Sequence, residues 1–213
     1  MRITKFGHAA VRIEYDGRVL LIDPGVWTDA EAIDGVDAVL ITHEHPDHVD
    51  PALLRRTDAP IWTIEAVAAQ LQANAPDVAE RVLVVDPGER WSAAGLEITA
   101  VGELHAVIHP ELPRVGNSGY LVTDGMTRLF HPGDALTGPD EDVDVLCVPV
   151  SAPWLKVSEA IDFARAVGAG RNLAIHDKVY SEAGLGIVDG HLGRFLGAAG
   201  QDYVRLPEGA DLD

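Results

Sequence analysis

Apolar positions along the chain come in short bursts, and their spacing predicts the elements. Ala10–Tyr15 and Arg18–Asp23 flank Asp16-Gly17, a turn dipeptide of the hairpin type, and are read as paired strands. Val36–Thr42 is a third strand, apolar at Val39, Leu40 and Ile41. Asp50-Pro51 has the form of an N-cap followed by a first-turn proline, opening a short helix over Ala52–Arg56. Further strands are expected at Pro60–Thr63, Arg81–Asp86, Leu96–Glu103, Gly119–Thr123, Arg128–His131, Val143–Val150 and Leu173–Ile175. Helices are expected over Glu65–Ala73, over Ser158–Val167 with apolar Ala160, Ile161, Phe163, Ala164 and Val167, and over His191–Ala199. Two strand-rich halves that each finish in helical material suggest a layered α+β chain, sheets inside and helices outside. No repeat or Gly/Ser linker divides it, so residues 1–213 are expected to form a single domain.

Composition changes this picture little: 213 residues at 47% hydrophobic can bury a substantial core. Charge changes it more. Thirty-four acidic against sixteen basic residues give −18, a field that opposes nucleic acid and anionic membrane at long range. Met1–His8 lacks the apolar core of a signal peptide, and no stretch approaches the roughly 18 apolar residues of a membrane span, so a cytoplasmic protein is expected. Cys147, the one cysteine, allows no internal disulfide and sits in an apolar run as a small core residue.

The chemistry concentrates after the third strand. Thr42-His43-Glu44-His45-Pro46-Asp47-His48 sets three histidines and an aspartate in six consecutive residues, spaced His-x-His-x-Asp-His. Imidazole nitrogen and carboxylate oxygen are the donors of zinc and its neighbours. One tight loop cannot surround an ion, so further donors are sought at the ends of other strands, where a scaffold presents functional groups. His105, Asp134 and His176 stand there. His109 is a competing candidate for the place of His105, and otherwise a rim residue. Asp23 either accepts the N–H of a ligand histidine or merely forms the turn before Pro24-Gly25. His8 and His131 are read as packing or supporting residues and His191 as a helix surface residue. Trp154 either walls a substrate pocket or packs under the following helix. Asp177 either steadies His176 or lies at a rim.

As a set, His43, His45, Asp47, His48, His105, Asp134 and His176 resemble the motifs of the metallo-β-lactamase superfamily. Leu20-Leu21-Ile22-Asp23-Pro24-Gly25 is similar to that family's early aspartate motif. The opening Gly7-His8-Ala9-Ala10-Val11-Arg12-Ile13-Glu14 resembles the single-domain hydrolases similar to ascorbate-6-phosphate lactonase. The cysteine-containing secreted β-lactamases fit poorly, because His48 is present and Cys147 lies in a strand past Asp134. The resemblance implies an αβ/βα four-layer sandwich with two divalent metal ions at one edge of its sheets. Zn2+ is the first choice, and the same donors accept Mn2+, Fe or Ni2+. His43, His45 and His105 would hold one ion, Asp47, His48 and His176 the other, and Asp134 would bridge them. The implied activity is hydrolysis of a small ester, lactone or phosphodiester by a metal-bridging hydroxide. Asp47 would act as ligand and also as a catalytic group that orients water or protonates the leaving group. The alternatives are a nucleic-acid processing phosphodiesterase, which the acidic balance opposes, and a non-hydrolytic metal-binding or redox member of the fold. A small molecule is the expected partner, with no nucleic acid and no membrane, and exposed apolar loops would allow a homo-oligomer.

Overall fold

The computed structural model describes residues 1–212, and these form two seven-stranded sheets with helices on their outer faces. The first sheet contains β1 (Arg2–Lys5), β2 (Val11–Tyr15), β3 (Arg18–Ile22), β4 (Ala38–Ile41), β5 (Ile61–Thr63), β6 (Val82–Val84) and, at its far edge beside β1, β14 (Ala210–Leu212). The second runs in the order β13 (Asp202–Val204), β12 (Arg171–Ile175), β11 (Val145–Pro149), β10 (Arg128–His131), β9 (Gly119–Thr123), β8 (Leu96–Val101), β7 (Arg90–Ala93). Hairpins build one half of each sheet. The strands β3 to β6 and β10 to β13 pair in parallel.

Period-two alternation explains the layering. In β3 and β4, Leu20, Ile22, Ala38 and Leu40 enter the core between the sheets, while Leu21, Val39 and Ile41 face outward. The outward set is covered by α1 (Pro51–Leu54), which supplies Leu53 and Leu54, by α2 (Glu65–Asn74), which supplies Val67 and Leu71, and by α3 (Pro76–Ala79), which supplies Val78. In the second sheet Val145, Cys147, Leu173 and Ile175 face inward. Leu146, Val148 and Ala174 face α4 (Val157–Val167) and α5 (Glu182–Gly197). A strand packed on both faces reads as a continuous apolar run, which is why these strands stood out in the sequence. The result is helix, sheet, sheet, helix, the expected αβ/βα sandwich.

Some expectations shift. The helix predicted at Ala52–Arg56 occupies Pro51–Leu54, with the Asp50 carboxylate accepting the Ala52 N–H at 2.8 Å as its cap. The closing helix begins nine residues before His191, because four glycines between Gly184 and Gly193 obscured its apolar face of Leu185, Val188, Leu192 and Leu196. Strands β1, β7, β13 and β14 were not expected. The last three are short and carry charged or half-exposed residues, as strands at or near a sheet edge do. In β1, Lys5 hid the pattern; its ammonium is buried against Asp177 at 2.7 Å. No helix among the described residues is long and apolar enough to cross a membrane.

Candidate metal centre

Five connections meet at one edge of the sandwich: the turn after β1, the loop after β4, and the loops after β8, β10 and β12. They bring together His8, Asp47, His48 and His176 in one group, and His43, His45, His105 and Asp134 in another. Within each group the donor atoms lie within 4.8 Å of one another. All seven residues singled out in the sequence are therefore neighbours, and His8 joins them.

Backbone geometry aims them. Gly133 has φ +60, and a Cβ there would stand 2.4 Å from Asn117 Oδ1, so glycine alone allows the turn that delivers Asp134. The Asn117 carboxamide then spans the loop, accepting the Asp134 N–H at 3.0 Å and donating to Pro132 O at 2.9 Å. Gly25 lets the segment after β3 press on the metal loop; a Cβ there would lie 1.9 Å from Asp47 O. Asp23 and His176 are held at φ +51 and +57, in the left-handed region that costs a residue with a Cβ free energy. Both are fixed by hydrogen bonds: Thr42 N–H and Oγ1–H donate to Asp23, and His176 N–H donates to His8 O.

The histidine tautomers follow from their partners. Thr42 Oγ1 gives its proton to Asp23, so it accepts from His43 Nδ1 at 3.0 Å. His48 Nδ1 donates to Asp23 Oδ2 at 2.7 Å, His105 Nδ1 to Ala106 O at 2.7 Å, and His176 Nδ1 to Ser151 O at 2.5 Å. Each of these four imidazoles therefore turns Nε2 inward. Those atoms lie 3.9, 3.1, 3.3 and 3.2 Å from Asp134 oxygens, in the order His43, His48, His105, His176. Nε2 of His48, His105 and His176, and Asp134 Oδ1, are buried without a hydrogen-bond partner. His43 Nε2 also approaches His45 Nδ1 to 3.0 Å.

His8 has the opposite tautomer. Its Nδ1 accepts the Lys178 N–H at 3.0 Å, so Nε2 carries the proton and donates to Asp47 Oδ2 at 3.2 Å. Burial pushes His8 down to about 4, which keeps it neutral. Burial also lowers His43, with the neighbouring His48 adding to it. For His48 and His176 burial is the largest single effect and acts downward, but the neighbouring carboxylates, Asp134 foremost, together outweigh it. Asp23 helps at His48 and Asp47 at His176; His48 is held well above the ordinary imidazole value and His176 at about 9. Burial alone would raise Asp134, yet the adjacent His48 and His176 hold it well below the usual carboxylate range.

The open choices of the sequence resolve individually. His105 enters the cluster, while His109 is exposed and accepts the Glu111 N–H. His131 is buried as a strut, donating from Nε2 to Ala9 O at 2.9 Å. His191 lies exposed on α5. Asp177 pairs with Lys5. Trp154 lines the cavity beside the cluster, donating from its indole N–H to Asp134 Oδ2 at 3.2 Å. Asn117 and Ser151 were missed, since neither lies in a motif and each acts through one backbone approach.

A profile of the beta-lactamase superfamily domain matches residues 2–176. The chain belongs to the beta-lactamase superfamily. Protein Rv0786c of Mycobacterium tuberculosis is 42% identical to this member over 98% of its length and 97% of that protein. A protein of Methanopyrus kandleri named UPF0173 metal-dependent hydrolase is 35% identical over 68% of this chain and 66% of its own. The solved metallo-beta-lactamase fold protein YhfI of Bacillus subtilis superposes with TM-score 0.75 at 18% identity, covering 99% of this chain and 98% of that one, which establishes the likeness of fold. The expectation of a hydrolytic enzyme agrees with the relatives' names. The resemblance holds at the level of the superfamily and of the UPF0173 metal-dependent hydrolases.

Proposed function

We propose that this superfamily member is a dinuclear metal-dependent hydrolase of a small ester, lactone or phosphodiester. The observation that carries the reading is the convergence of four inward-turned Nε2 atoms on Asp134, three of them without a hydrogen-bond partner, each imidazole fixed by an Nδ1–H bond on its far side. Buried polar atoms without partners are costly, and an ion would satisfy several of them at once. His43, His45 and His105 would hold one ion and Asp47, His48 and His176 the other, with Asp134 a donor available to both. His8 is excluded as a ligand because neither ring nitrogen has a free lone pair to offer. The imidazole and carboxylate donor set makes Zn2+ the first candidate.

Two such ions, when bound, supply hydroxide at neutral pH and an electrophile for the scissile oxygen. The chain's own groups do the rest. Asp23 holds His48 in its ligand tautomer, as supporting carboxylates do in metal sites. Asp47, steadied by the His8 N–H, is an ionised acceptor placed to orient the attacking water and to pass its proton to the leaving group. Trp154 covers Asp134 and excludes water from one side.

Elemental analysis of purified protein is expected to find two divalent ions per chain. A screen of lactones, esters and phosphodiesters with that metal is expected to find turnover, lost in His45→Ala. A protein that binds no metal and is indifferent to chelators ends the proposal.

A further inference from the structure

The cavity that opens onto the metal centre holds about 450 Å3, ordinary for a small-molecule site. Its floor is His45, Asp47, Asp134 and His176. Its walls are Val26, Trp27, Ile108, Pro153, Trp154 and Val179. Val26 is 50% exposed, Trp27 43%, Ile108 41% and Val179 37%, so large apolar side chains stand in water around a concave surface. Such a surface marks a binding site more often than chance solvent exposure. The two indoles are held in place. Trp154 is tied to Asp134, and Trp27 stands edge-on to the His8 ring at 4.8 Å between centroids.

No lysine or arginine lines this cavity among the described residues. The cations nearby in the chain are committed elsewhere: Lys178 to Glu208, Lys5 to Asp177, and Arg114 to His105 O. A phosphate or carboxylate remote from the metal centre would enter without a partner, and burying an unpaired charge is strongly unfavourable. The two fixed indoles offer flat apolar faces to whatever occupies the space.

We infer that the substrate is an uncharged ester or lactone carrying an apolar alkyl or aryl group, which lies between Trp27, Ile108 and Trp154 while its carbonyl faces the metal centre. This rests on the hydrolase reading and narrows it, setting phosphodiesters and phosphorylated lactones aside. In the reaction water adds its oxygen to the carbonyl carbon, the carbonyl carbon–oxygen single bond breaks, and the leaving oxygen takes the proton.

The test uses metal-loaded protein with p-nitrophenyl esters from acetate to octanoate, γ-lactones of rising side-chain length, the half-ester of succinate and bis(p-nitrophenyl) phosphate. kcat/KM is expected to rise about fourfold per methylene until the cavity is filled, with the succinate half-ester and the phosphodiester at least tenfold below the matched neutral ester. Ile108→Asp, at an exposed loop position, is expected to lower octanoate turnover at least tenfold, and Ile108→Val to restore most of it. Independently of turnover, 2-octanone is expected to shift the tryptophan fluorescence of chelator-treated protein at concentrations where glucose 6-phosphate does not. Turnover that is flat with chain length, or that favours the phosphodiester, overturns the apolar assignment and leaves the hydrolase reading standing. Two bound metals with no turnover of any compound overturns the hydrolase reading, and this inference with it, even if 2-octanone binds.

Discussion

The cavity between the loop after β10 and helix α4 is larger than the one beside the imidazoles, about 700 against 450 Å3, and more acidic. Asp140, Glu141, Asp142, Glu159 and Asp162 line it. Those carboxylates belong to the solvated surface. Glu141 pairs with Arg90 at 2.6 Å, and Glu159 caps the Lys156 N–H. Among the described residues, none of their oxygens is buried without a partner. At the candidate metal centre, two carboxylates and six imidazoles are pressed together with four orphaned atoms aimed inward. Size and charge do not distinguish a reactive site; unsatisfied donors fixed from behind do.

The largest effect should come from removing carboxylates from each region in turn. Asp134→Ala is expected to lower metal content and to cut kcat/KM by about 10³-fold or more. The double change Asp140→Asn, Glu141→Gln is expected to stay within about twofold. Equal losses, read by elemental analysis and steady-state kinetics, would erase the contrast.

Support from behind should matter next. Asp23→Asn removes the carboxylate that holds His48 Nδ1–H, and metal affinity at that site is expected to fall about 10–100-fold in a competitive chelator titration. Unchanged affinity would mean that His48 is aimed by packing alone.

His8 sharpens the line between donor and support. His8→Gln can still donate to Asp47 and accept from Lys178, so it is expected to keep two metals and activity within about fivefold of the parent. His8→Ala is expected to keep two metals but weaken the second by about tenfold. Loss of one metal in both variants would make His8 a ligand.

The smallest effect concerns protons. His48 and His176 are raised, His176 to about 9, so near pH 7 each carries a second proton, on Nε2 facing Asp134, before metal arrives. Metal uptake at pH 7 is expected to release about one to two protons, read by calorimetry in buffers of different ionisation enthalpy, and the release should shrink as pH rises through 9. The His176 contribution to the stability of chelator-treated protein has the same sign. It is complete below the ordinary imidazole value and is lost as pH rises through about 9. Saturating metal at about 100 times Kd should add about 2.7 kcal/mol, a rise of roughly 5–10 °C in Tm for a chain of this size.

Much of this was legible in the chain. The continuous apolar runs at Val39–Ile41 and Val145–Val148 marked strands buried on both faces, and the His-x-His-x-Asp-His spacing marked the donors, because ligand chemistry needs those residue types whatever their surroundings. Edge strands such as β7 and β13 were not legible, since one side faces solvent and leaves no periodic signal. The sequence determined which side chains could grip metal and that their loops follow strands. Tertiary structure alone decided that His105 and not His109 turns inward, that Asp177 answers Lys5, that Lys178 N–H fixes the His8 tautomer, and that Trp27, Ile108 and Trp154 line one cavity. Each of those choices depends on where a distant backbone atom or ring lies, and no spacing along the chain encodes such a distance.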